Sequence, residues 1–370
     1  MGFTCGIVGL PNVGKTTLFN ALTGAHAEAS CYPFCTVDPN RGRVPVPDPA
    51  LEYLGACLRP EKLVPAFMEF LDVAGLVEGA SRGEGLGNEF LGHLRAVDAV
   101  VHVVRLFRQE DVAHVAGDSD PVRDMELVRT ELVLADLEVV ERRMERVERV
   151  ARTGVKEALE ERENLAGFQR ALSRGTPLRR VLPAVRPGGD AGGGDDRARE
   201  WGLLTAKPVL YVLNMDEEQI EDPDPLVEGV RTRLGEADSC LLPVCAKRES
   251  EIMDLPPEER ARFRQEMQWG GSGLERLVRE GFRLLGLITF YTIVGKVVRA
   301  WTLPRGASVL HAAGKIHSDM QRGFIKAEVV GFEDFQGAGG EDAARSAGLV
   351  RVEGKAYSVR DRDILRIRFR

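Results

Sequence analysis

Short apolar runs alternate with helical or glycine-rich segments along the first two-thirds of this 370-residue chain. The runs are short and rich in β-branched residues, and they lie at 3–9, 66–72, 98–105, 209–214 and 241–246. A helical pattern follows the first run, from about Lys15 to Leu22, and Gly24 ends it. Apolar runs separated by helices are typical of a parallel sheet that is covered by helices on both faces. The sequence therefore predicts an α/β fold.

A different pattern occupies the middle of the chain. From Asp124 to Arg152 there is neither proline nor glycine, and apolar residues recur at spacings of three and four, which predicts a long amphipathic helix. Thr153 and Gly154 interrupt this pattern, and Val155 to Leu172 predicts a second helix. Two helices joined by a tight turn form an antiparallel hairpin. We expect either a protruding coiled coil that acts as a docking arm or a pair of ordinary packing helices.

The last part of the chain has a third texture. A stretch rich in glycine and aspartate at 186–196 predicts a flexible linker. Beyond about Leu287, short β-type runs are separated by turns, at 290–294, 297–303, 324–330, 349–352, 356–359 and 364–369. These runs predict a small separate α+β or β-grasp-like domain.

The turn after the first apolar run carries a phosphate-binding motif. Residues 9–16 read GLPNVGKT, which fits G-x-x-x-x-G-K-S/T between a predicted strand and a predicted helix. Backbone N–H groups here can surround a β-phosphate at the helix N-terminus. Lys15 supplies a charge to the β- and γ-phosphates, and the Thr16 hydroxyl is a ligand for Mg²⁺. Phosphate binding is therefore predicted for Asn12, Val13, Gly14, Lys15, Thr16 and Thr17.

Two further elements predict the remaining magnesium ligands of a nucleoside triphosphatase. Asp72 begins a D-x-x-G element at the end of a strand, where its carboxylate can hold Mg²⁺ through water. Thr36 is the candidate switch threonine, whose hydroxyl completes the Mg²⁺ shell only while a γ-phosphate is present. The predicted metal ligands are thus Thr16, Thr36 and Asp72. Residues 75–92 contain six glycines and predict a mobile second switch.

The segment after the fourth apolar run differs from the N-K-x-D element that reads guanine. It reads Asn214-Met215-Asp216-Glu217, so a methionine replaces the lysine that would cover the base. Glu217 is one methylene longer than aspartate, and a bidentate carboxylate contact tolerates little displacement. We therefore expect strong guanine preference to be lost. The run Cys245-Ala246-Lys247 occupies the place of the S-A-K element beside the base.

Taken together, these segments resemble the YchF family of Obg-like ATPases. The likeness runs from residue 1 to 370 and is carried by GIVGLPNVGKTTLFNALTG, YPFCTVDPN, LDVAGLVEGASRGEGLGNEFL, VVHVVR and AWTLPRGASVLHAAGKIHSDMQRGFIKAEVVGFEDF. The resemblance implies a P-loop NTPase sheet domain with an inserted helical hairpin and a C-terminal TGS domain of β-grasp type. It also implies ATP in preference to GTP, with Asn214 and the backbone of Met215 contacting adenine and Glu217 completing an N-x-x-E element.

The resemblance also suggests a domain division and partners. The sheet domain comprises 1–120 and 201–286, the hairpin 121–185, a linker 186–200 and the TGS domain 287–370. Residues 287–370 hold 14 Lys and Arg against 9 Asp and Glu, a net charge of +5, whereas the rest of the chain carries −12. The resemblance implies association with the ribosome, as the large subunit or whole, and regulation of translation or stress responses. RNA contact through the TGS domain and hairpin is a further expectation, with candidate cations Arg299, Arg305, Lys315, Arg322, Lys326 and Arg360 to Arg370; a solvated basic face is the alternative.

The group that positions the attacking water is not obvious from the sequence. Leu76 stands where Ras-like enzymes use glutamine, and leucine cannot orient water, so we expect slow intrinsic hydrolysis. The resemblance implies that His114 takes this role, which adds it to Lys15 and Thr36 as the expected catalytic residues. A K⁺ ion held by Asn12 is a second hypothesis, and a group supplied by a partner is a third.

Three functions remain open at this point. The leading hypothesis is a Mg²⁺-dependent ATPase that acts as a molecular switch. The alternatives are a nucleotide-gated clamp on ribosome or RNA with negligible hydrolysis, and a GTPase. The sequence contains no run of 18 apolar residues, so we expect no membrane span. Its six cysteines form no C-x-x-C pair, which favours reduced thiols in a cytoplasmic protein. We expect a monomer.

Overall fold

The computed structural model describes residues 3–24, 40–73, 86–108, 120–182, 193–235, 239–256, 258–260, 262 and 272–370. Its strands form two six-stranded sheets. In spatial order the first sheet contains β2 (Asn40–Pro45), β4 (Phe67–Asp72), β1 (Phe3–Val8), β5 (Ala99–Arg105), β6 (Val209–Asn214) and β7 (Cys240–Val244). Neighbouring strands are parallel except for β2, which pairs antiparallel with β4. The predicted α/β fold is confirmed.

The apolar runs became strands because the sheet is covered on both faces. Every residue of β5 is buried, including the polar His102 and Arg105. Such strands are recognisable as continuous apolar runs. The edge strand β2 was not predicted because its sequence, NRGRVP, is polar and contains both glycine and proline. Because β1, β4, β5 and β6 run parallel, their carboxyl ends meet at one edge of the sheet, where the functional loops begin.

Thirteen named helices accompany the strands in the described part of the chain. Those beside the first sheet are α1 (Lys15–Thr23), α3 (Leu86–Ala96), α7 (Asp224–Leu234), α8 (Ala246–Asp254) and α9 (Gly273–Leu284), whereas α2 (Pro49–Leu58) packs against the second sheet. Helix α3 begins at Leu86, inside the segment 75–92 that was predicted to be a mobile second switch, and the mobility of that segment stays a prediction. Residues 74–85 lie outside the described part. None of the described helices has the length and apolar character that a membrane span requires.

The predicted hairpin consists of α4 (Pro121–Ala151) and α5 (Lys156–Leu172). Asp120 caps α4, since its carboxylate accepts hydrogen bonds from the backbone N–H groups of Val122 and Arg123 at 3.0 and 3.3 Å. The first half of α4 packs on the sheet domain through Val128, Leu132 and Ala135. Beyond these residues, Val140 packs with Leu165 and Phe168 of α5, and most residues from 141 to 150 are exposed. The base of the hairpin is therefore ordinary packing, and its far end is a two-helix arm.

The described part of the expected linker is helical. Helix α6 (Gly193–Glu200) occupies its second half, and Ala198 is fully buried in a cluster with Trp201 and Phe168. Residues 193–200 of the predicted linker thus form a helix that packs through Ala198, and the division of the chain at 186–200 stays a prediction. The glycine-rich composition did not predict this helix, because the helix is stabilised by the packing of Ala198 with Trp201 and Phe168.

The second sheet has the spatial order β11 (Arg351–Glu353), β10 (Phe324–Gly331), β12 (Asp363–Phe369), β8 (Leu287–Val294), β9 (Val297–Pro304) and β3 (Lys62–Val64). The accompanying helices are α10 (Val309–Ile316), α11 (Ser318–Arg322), α12 (Phe332–Ala338) and α13 (Glu341–Ser346). The apolar run at 356–359 is not a strand, because it makes only an isolated bridge between Ser358 and Ser308. The mixed sheet with one helix, α10, packed into its own core agrees with the predicted β-grasp type.

The two sheets are joined by polar and apolar contacts. Strand β3 comes from the sheet-domain part of the chain, yet it pairs with β9 and forms the edge of the second sheet. The Tyr291 hydroxyl of β8 donates to the Asp48 carboxylate, with distances of 2.8 and 2.9 Å to its two oxygens. Tyr53 of α2 meets Phe332 edge-on, with 5.6 Å between the ring centroids. A division at residue 287 therefore separates the two modules except for β3, which precedes residue 287 in the chain but belongs to the second sheet.

Candidate functional site

The phosphate-binding loop connects β1 to α1 at the carboxyl edge of the first sheet. Gly14 has φ +93°, and a Cβ on it would lie 2.3 Å from the Nδ2 atom of Asn214. A Cβ on Gly9 would lie 2.4 Å from the backbone oxygen of Val103. A side chain at either position would clash with these atoms, so both positions of the motif require glycine. The loop ends at the N-terminus of α1, where unpaired N–H groups attract anions.

Lys15 is the first residue of α1 and lies inside the loop. Its side chain is 8% exposed, and its Nζ donates to the backbone oxygen of Leu10 at 2.7 Å. Burial lowers the pKa of Lys15 to about 8, and the negative charge of Asp72 opposes this shift. The ammonium is thus held across the loop at the place where the motif puts β- and γ-phosphate oxygens, whose charge would favour its protonated form.

Two of the predicted magnesium ligands lie together. The Thr16 hydroxyl donates to Asp72 Oδ2 at 3.0 Å, although the two residues are far apart in the sequence. Burial raises the pKa of Asp72, while the Thr16 hydrogen bond and the Lys15 charge lower it. A hydroxyl beside a carboxylate is an oxygen ligand set of the kind that Mg²⁺ prefers, so the two residues fit this ion. The third predicted ligand, Thr36, lies outside the described residues.

A cavity of about 770 Å³ opens beside the phosphate-binding loop. Gly14 and Thr17 line its phosphate end, and Asn214 to Glu218, Cys245 to Lys247, Phe107 and Arg108 line the rest. This volume is within the range of small-molecule sites, about 300–1,000 Å³. The cavity therefore extends from the loop to the segment that the sequence predicted would contact the base.

Asn214 connects three segments at the centre of the site. Its Nδ2 donates to the backbone oxygen of Val13 at 2.9 Å, and its Oδ1 accepts from the backbone N–H of Ala246 at 3.0 Å. Its own backbone oxygen accepts from the N–H groups of Leu106 and Phe107 at 2.8 and 3.0 Å. Asn214 is thus a positioning residue for the phosphate-binding loop. The predicted contact of its side chain with adenine stays a prediction, in competition with these two side-chain hydrogen bonds.

The next residues of this element differ in their exposure. Met215 is 1% exposed, and its backbone N–H donates to the oxygen of Val244 at 2.8 Å. Glu217 is half exposed and forms an ion pair with Lys247, with 3.2 Å between Nζ and Oε1. The Met215 side chain therefore belongs to the core. The Glu217 carboxylate lies at the cavity beside Lys247, and the sequence analysis did not predict this ion pair.

The sequence analysis missed the wall formed by the residues after β5. Phe107 and Arg108 line the cavity, and the buried Arg105 guanidinium lies 4.4 Å from the centroid of the Phe107 ring. The Arg105 Nε also donates to the Phe107 oxygen at 3.4 Å. The apolar run of β5 located the strand, but no motif marks the residues that follow it. The predicted catalytic residue His114 lies outside the described residues.

The basic residues of the C-terminal module are less available than their number suggests. Arg322 pairs with Asp319, Arg366 with Glu341 and Arg368 with Glu328. Lys315 lies 5.3 Å from the Phe3 ring centroid, and burial lowers its pKa. Arg299 lies 5.0 Å from the Trp301 ring centroid. The predicted phosphate-contacting patch is therefore interrupted by carboxylates and aromatic contacts, and its use stays a prediction.

Comparison with known proteins finds similarity over the whole chain. A family model described as "50S ribosome-binding GTPase" matches residues 4–135, and the model of the YchF-type GTPase C-terminal region, described as a protein of unknown function (DUF933), matches 287–370. "Ribosome-binding ATPase YchF" of Bacillus subtilis is 46% identical over 371 residues, covering 100% of both chains. The Haemophilus influenzae protein of the same name is 45% identical over 375 residues, covering 100% of this chain and 99% of the relative.

More distant relatives are also similar to this chain over nearly its whole length. "Obg-like ATPase 1" of Rattus norvegicus is 37% identical over 371 residues, covering 98% of this chain and 91% of the relative. The solved structure of the Schizosaccharomyces pombe YchF GTPase superposes with a TM-score of 0.84 at 33% identity, covering 99% of this chain and 98% of that chain. The names of these relatives and families differ on the nucleotide, since some say ATPase and others GTPase.

Proposed function

The chain belongs to the YchF family of Obg-like ATPases, and from this premise we propose that it is a Mg²⁺-dependent ATPase that switches its association with the ribosome. The observation that best supports ATP hydrolysis is the continuous site formed by the phosphate-binding loop and the adjoining cavity. Lys15, Thr16 and Asp72 converge at its phosphate end, and the cavity continues to Glu217 at its other end. Such a site matches a nucleoside triphosphate with its metal.

In the proposed reaction the protein mainly positions charges. The loop N–H groups from Asn12 to Thr17 hold the phosphates, and Lys15 stabilises the charge that develops on the β- and γ-oxygens. Thr16, Asp72 and, by prediction, Thr36 would hold Mg²⁺, which neutralises phosphate charge when bound. These groups bind and orient the triphosphate, and the hydrolysis rate then depends on the group that orients water.

Three groups are candidates for positioning the water that attacks the γ-phosphate. Leu76 follows the D-x-x-G element and offers no hydrogen bond to water, so intrinsic hydrolysis is expected to be slow. His114, a K⁺ ion held by Asn12, and a group supplied by the ribosome are the candidates. Single-turnover rates of wild type and His114→Ala, each in K⁺ and in Na⁺ buffer and with and without ribosomes, separate them. Equal rates in both salts would remove support for K⁺.

The ribosome is proposed as partner from the names of the relatives. Two of them are called ribosome-binding ATPases, and both match this chain over its full length. The net charge of +5 on residues 287–370 is compatible with contact to ribosomal RNA. Co-sedimentation with ribosomes at increasing salt tests this part. RNA contact predicts a steep loss of binding with salt, and a flat response would contradict it.

The nucleotide is tested by competition. ATP and GTP are titrated against each other on wild type and on a variant that combines Met215→Lys with Glu217→Asp. We expect GTP to displace ATP from the wild type only in large excess, and the variant to shift toward GTP. Displacement of ATP by an equal concentration of GTP from the wild type would favour the GTPase alternative. ATP binding with no hydrolysis, even with ribosomes present, would instead favour the clamp.

A further inference from the structure

The Glu217 carboxylate that faces the cavity is already partnered. Lys247, the second residue of α8, places its Nζ 3.2 Å from Glu217 Oε1 and 3.9 Å from Glu251 Oε1. Both Glu217 and Lys247 line the cavity, and the Lys247 side chain is 73% exposed. One of the two carboxylate oxygens therefore carries an ion pair before any base arrives.

The loop that bears Glu217 is held independently of this ion pair. Asp216 and Gln219 exchange hydrogen bonds, since each accepts through its side chain from the backbone N–H of the other, at 2.9 and 3.1 Å. The Gln219 Nε2 donates to the oxygen of Leu106 at 3.2 Å, and Glu221 pairs with Arg248 at 3.0 Å. Loss of the Lys247 charge would therefore free the carboxylate without releasing the loop.

Adenine and guanine make different demands on a carboxylate at this place. Guanine presents two adjacent donors, N1–H and N2–H₂, and a tight contact uses both oxygens side by side. Adenine presents a single amino group, which one oxygen can satisfy. A carboxylate that has one oxygen engaged by an ammonium group can thus serve adenine, whereas guanine must first displace or share that ion pair.

We propose that Lys247 is a positioning residue for base selectivity, because it occupies one oxygen of Glu217 and so disfavours guanine. The proposal rests on the proposed function, since it concerns which purine the same site accepts. Discrimination would then have two sources: the contacts of the N-x-x-E segment with adenine, and the Lys247 ion pair that disfavours guanine.

The test measures ATP and GTP dissociation constants by calorimetry on wild type, Lys247→Met and Lys247→Arg. Because the ion pair is exposed, Lys247→Met is expected to narrow the ATP-to-GTP preference by only about two- to fivefold, through tighter GTP binding. Lys247→Arg keeps a cation on the carboxylate and is expected to retain the wild-type preference. Raising the salt concentration should narrow the preference of the wild type but not that of Lys247→Met.

Lys296→Met is the matched control. Lys296 also pairs with a glutamate, Glu61, and its side chain is 74% exposed, but it lies in the turn between β8 and β9. Its loss should leave both dissociation constants unchanged, and circular dichroism checks that each variant is folded. An unchanged ratio in Lys247→Met, or an equal weakening of both nucleotides, would overturn the proposal. Failure of the wild type to bind ATP would instead overturn the proposed function itself, and it is seen before any variant is measured.

Discussion

Truncation of Asn214 is the sharpest test of how the site is built. The side chain makes two buried hydrogen bonds, to the oxygen of Val13 at 2.9 Å and from the N–H of Ala246 at 3.0 Å. Asn214→Ala leaves both backbone groups without this partner. A buried polar group that loses its partner costs about 1–3 kcal/mol, so the two together would cost about 2–6 kcal/mol if water stayed out. The cavity beside Asn214 admits water, and we expect the lower part of this range.

The same truncation should weaken nucleotide binding through the phosphates. Val13 belongs to the phosphate-binding loop, and an extra 1.4 kcal/mol or so to order this loop corresponds to about a tenfold higher dissociation constant. ATP and GTP share the phosphates, so both should weaken by the same factor. Asn214→Asp keeps an acceptor for Ala246 but turns a second acceptor toward the Val13 oxygen, and it should not restore binding.

Urea unfolding and calorimetric titration with ATP and GTP provide the measurements. Asn164→Ala is the matched control, because Asn164 donates to the oxygen of Glu160 at 2.9 Å on the exposed side of α5. Surface truncations of this kind usually change stability by less than about 0.5 kcal/mol. If Asn214→Ala matched this control in both stability and affinity, the three-segment connection would have no energetic role. A loss of ATP affinity alone would instead mean that Asn214 contacts the base.

Three further predictions concern Lys15, Asp72 and Tyr291. Because the folded pKa of Lys15 is about 8, below its unfolded value, the unfolded state binds more protons between about pH 8 and 10.5. The unfolding free energy of nucleotide-free protein should therefore rise over this window by about 1–3 kcal/mol relative to Lys15→Met, and parallel pH profiles would contradict the burial of a charged ammonium. Asp72→Asn should raise the Mg²⁺ concentration needed for half-maximal ATPase activity by about tenfold or more, while nucleotide binding without metal changes little; an unchanged Mg²⁺ dependence would exclude Asp72 as a ligand. Tyr291→Phe removes the hydrogen bond to Asp48 and should lower stability by about 1.5–3 kcal/mol in denaturant titration. Tyr53→Phe, at a tyrosine outside this contact, is the comparison, and equal effects of the two variants would mean that the Asp48 contact is not stabilising.

The strands of the first sheet show which parts of a fold a sequence can predict. Strand β5 is buried along its whole length, so its apolar residues identify it without any neighbour. Strands β2 and β3 were missed because each lies at an edge and is held by a single neighbouring strand. Their own residues carry no period-two apolar pattern. Helix α6 was missed for a related reason, since the contacts of Ala198 with distant residues stabilise it.

The two ends of the site differ in the same way. The phosphate end is a local motif, and the parallel order of β1 and β4 brings Asp72 to Thr16 by a general rule of such sheets. The base end is built by side chains from separate loops, among them Phe107 and Lys247. The sequence placed Lys247 beside the base through the S-A-K element, but neither the position of Phe107 nor the pairing of Lys247 with Glu217 follows from residue spacing, because both depend on how the loops after β5, β6 and β7 pack together.

This difference changes how the base-recognition element should be interpreted. A motif read from sequence assigns Asn214 to the base, but both polar atoms of its amide hold backbone groups of the protein. Met215 is buried and contributes no exposed side chain. Of the predicted base contacts, Glu217 is thus the one with a half-exposed side chain at the cavity, and this side chain forms an ion pair with Lys247. Under the proposal, selectivity between purines depends on the Lys247 charge beside Glu217 in addition to the residues of the motif itself.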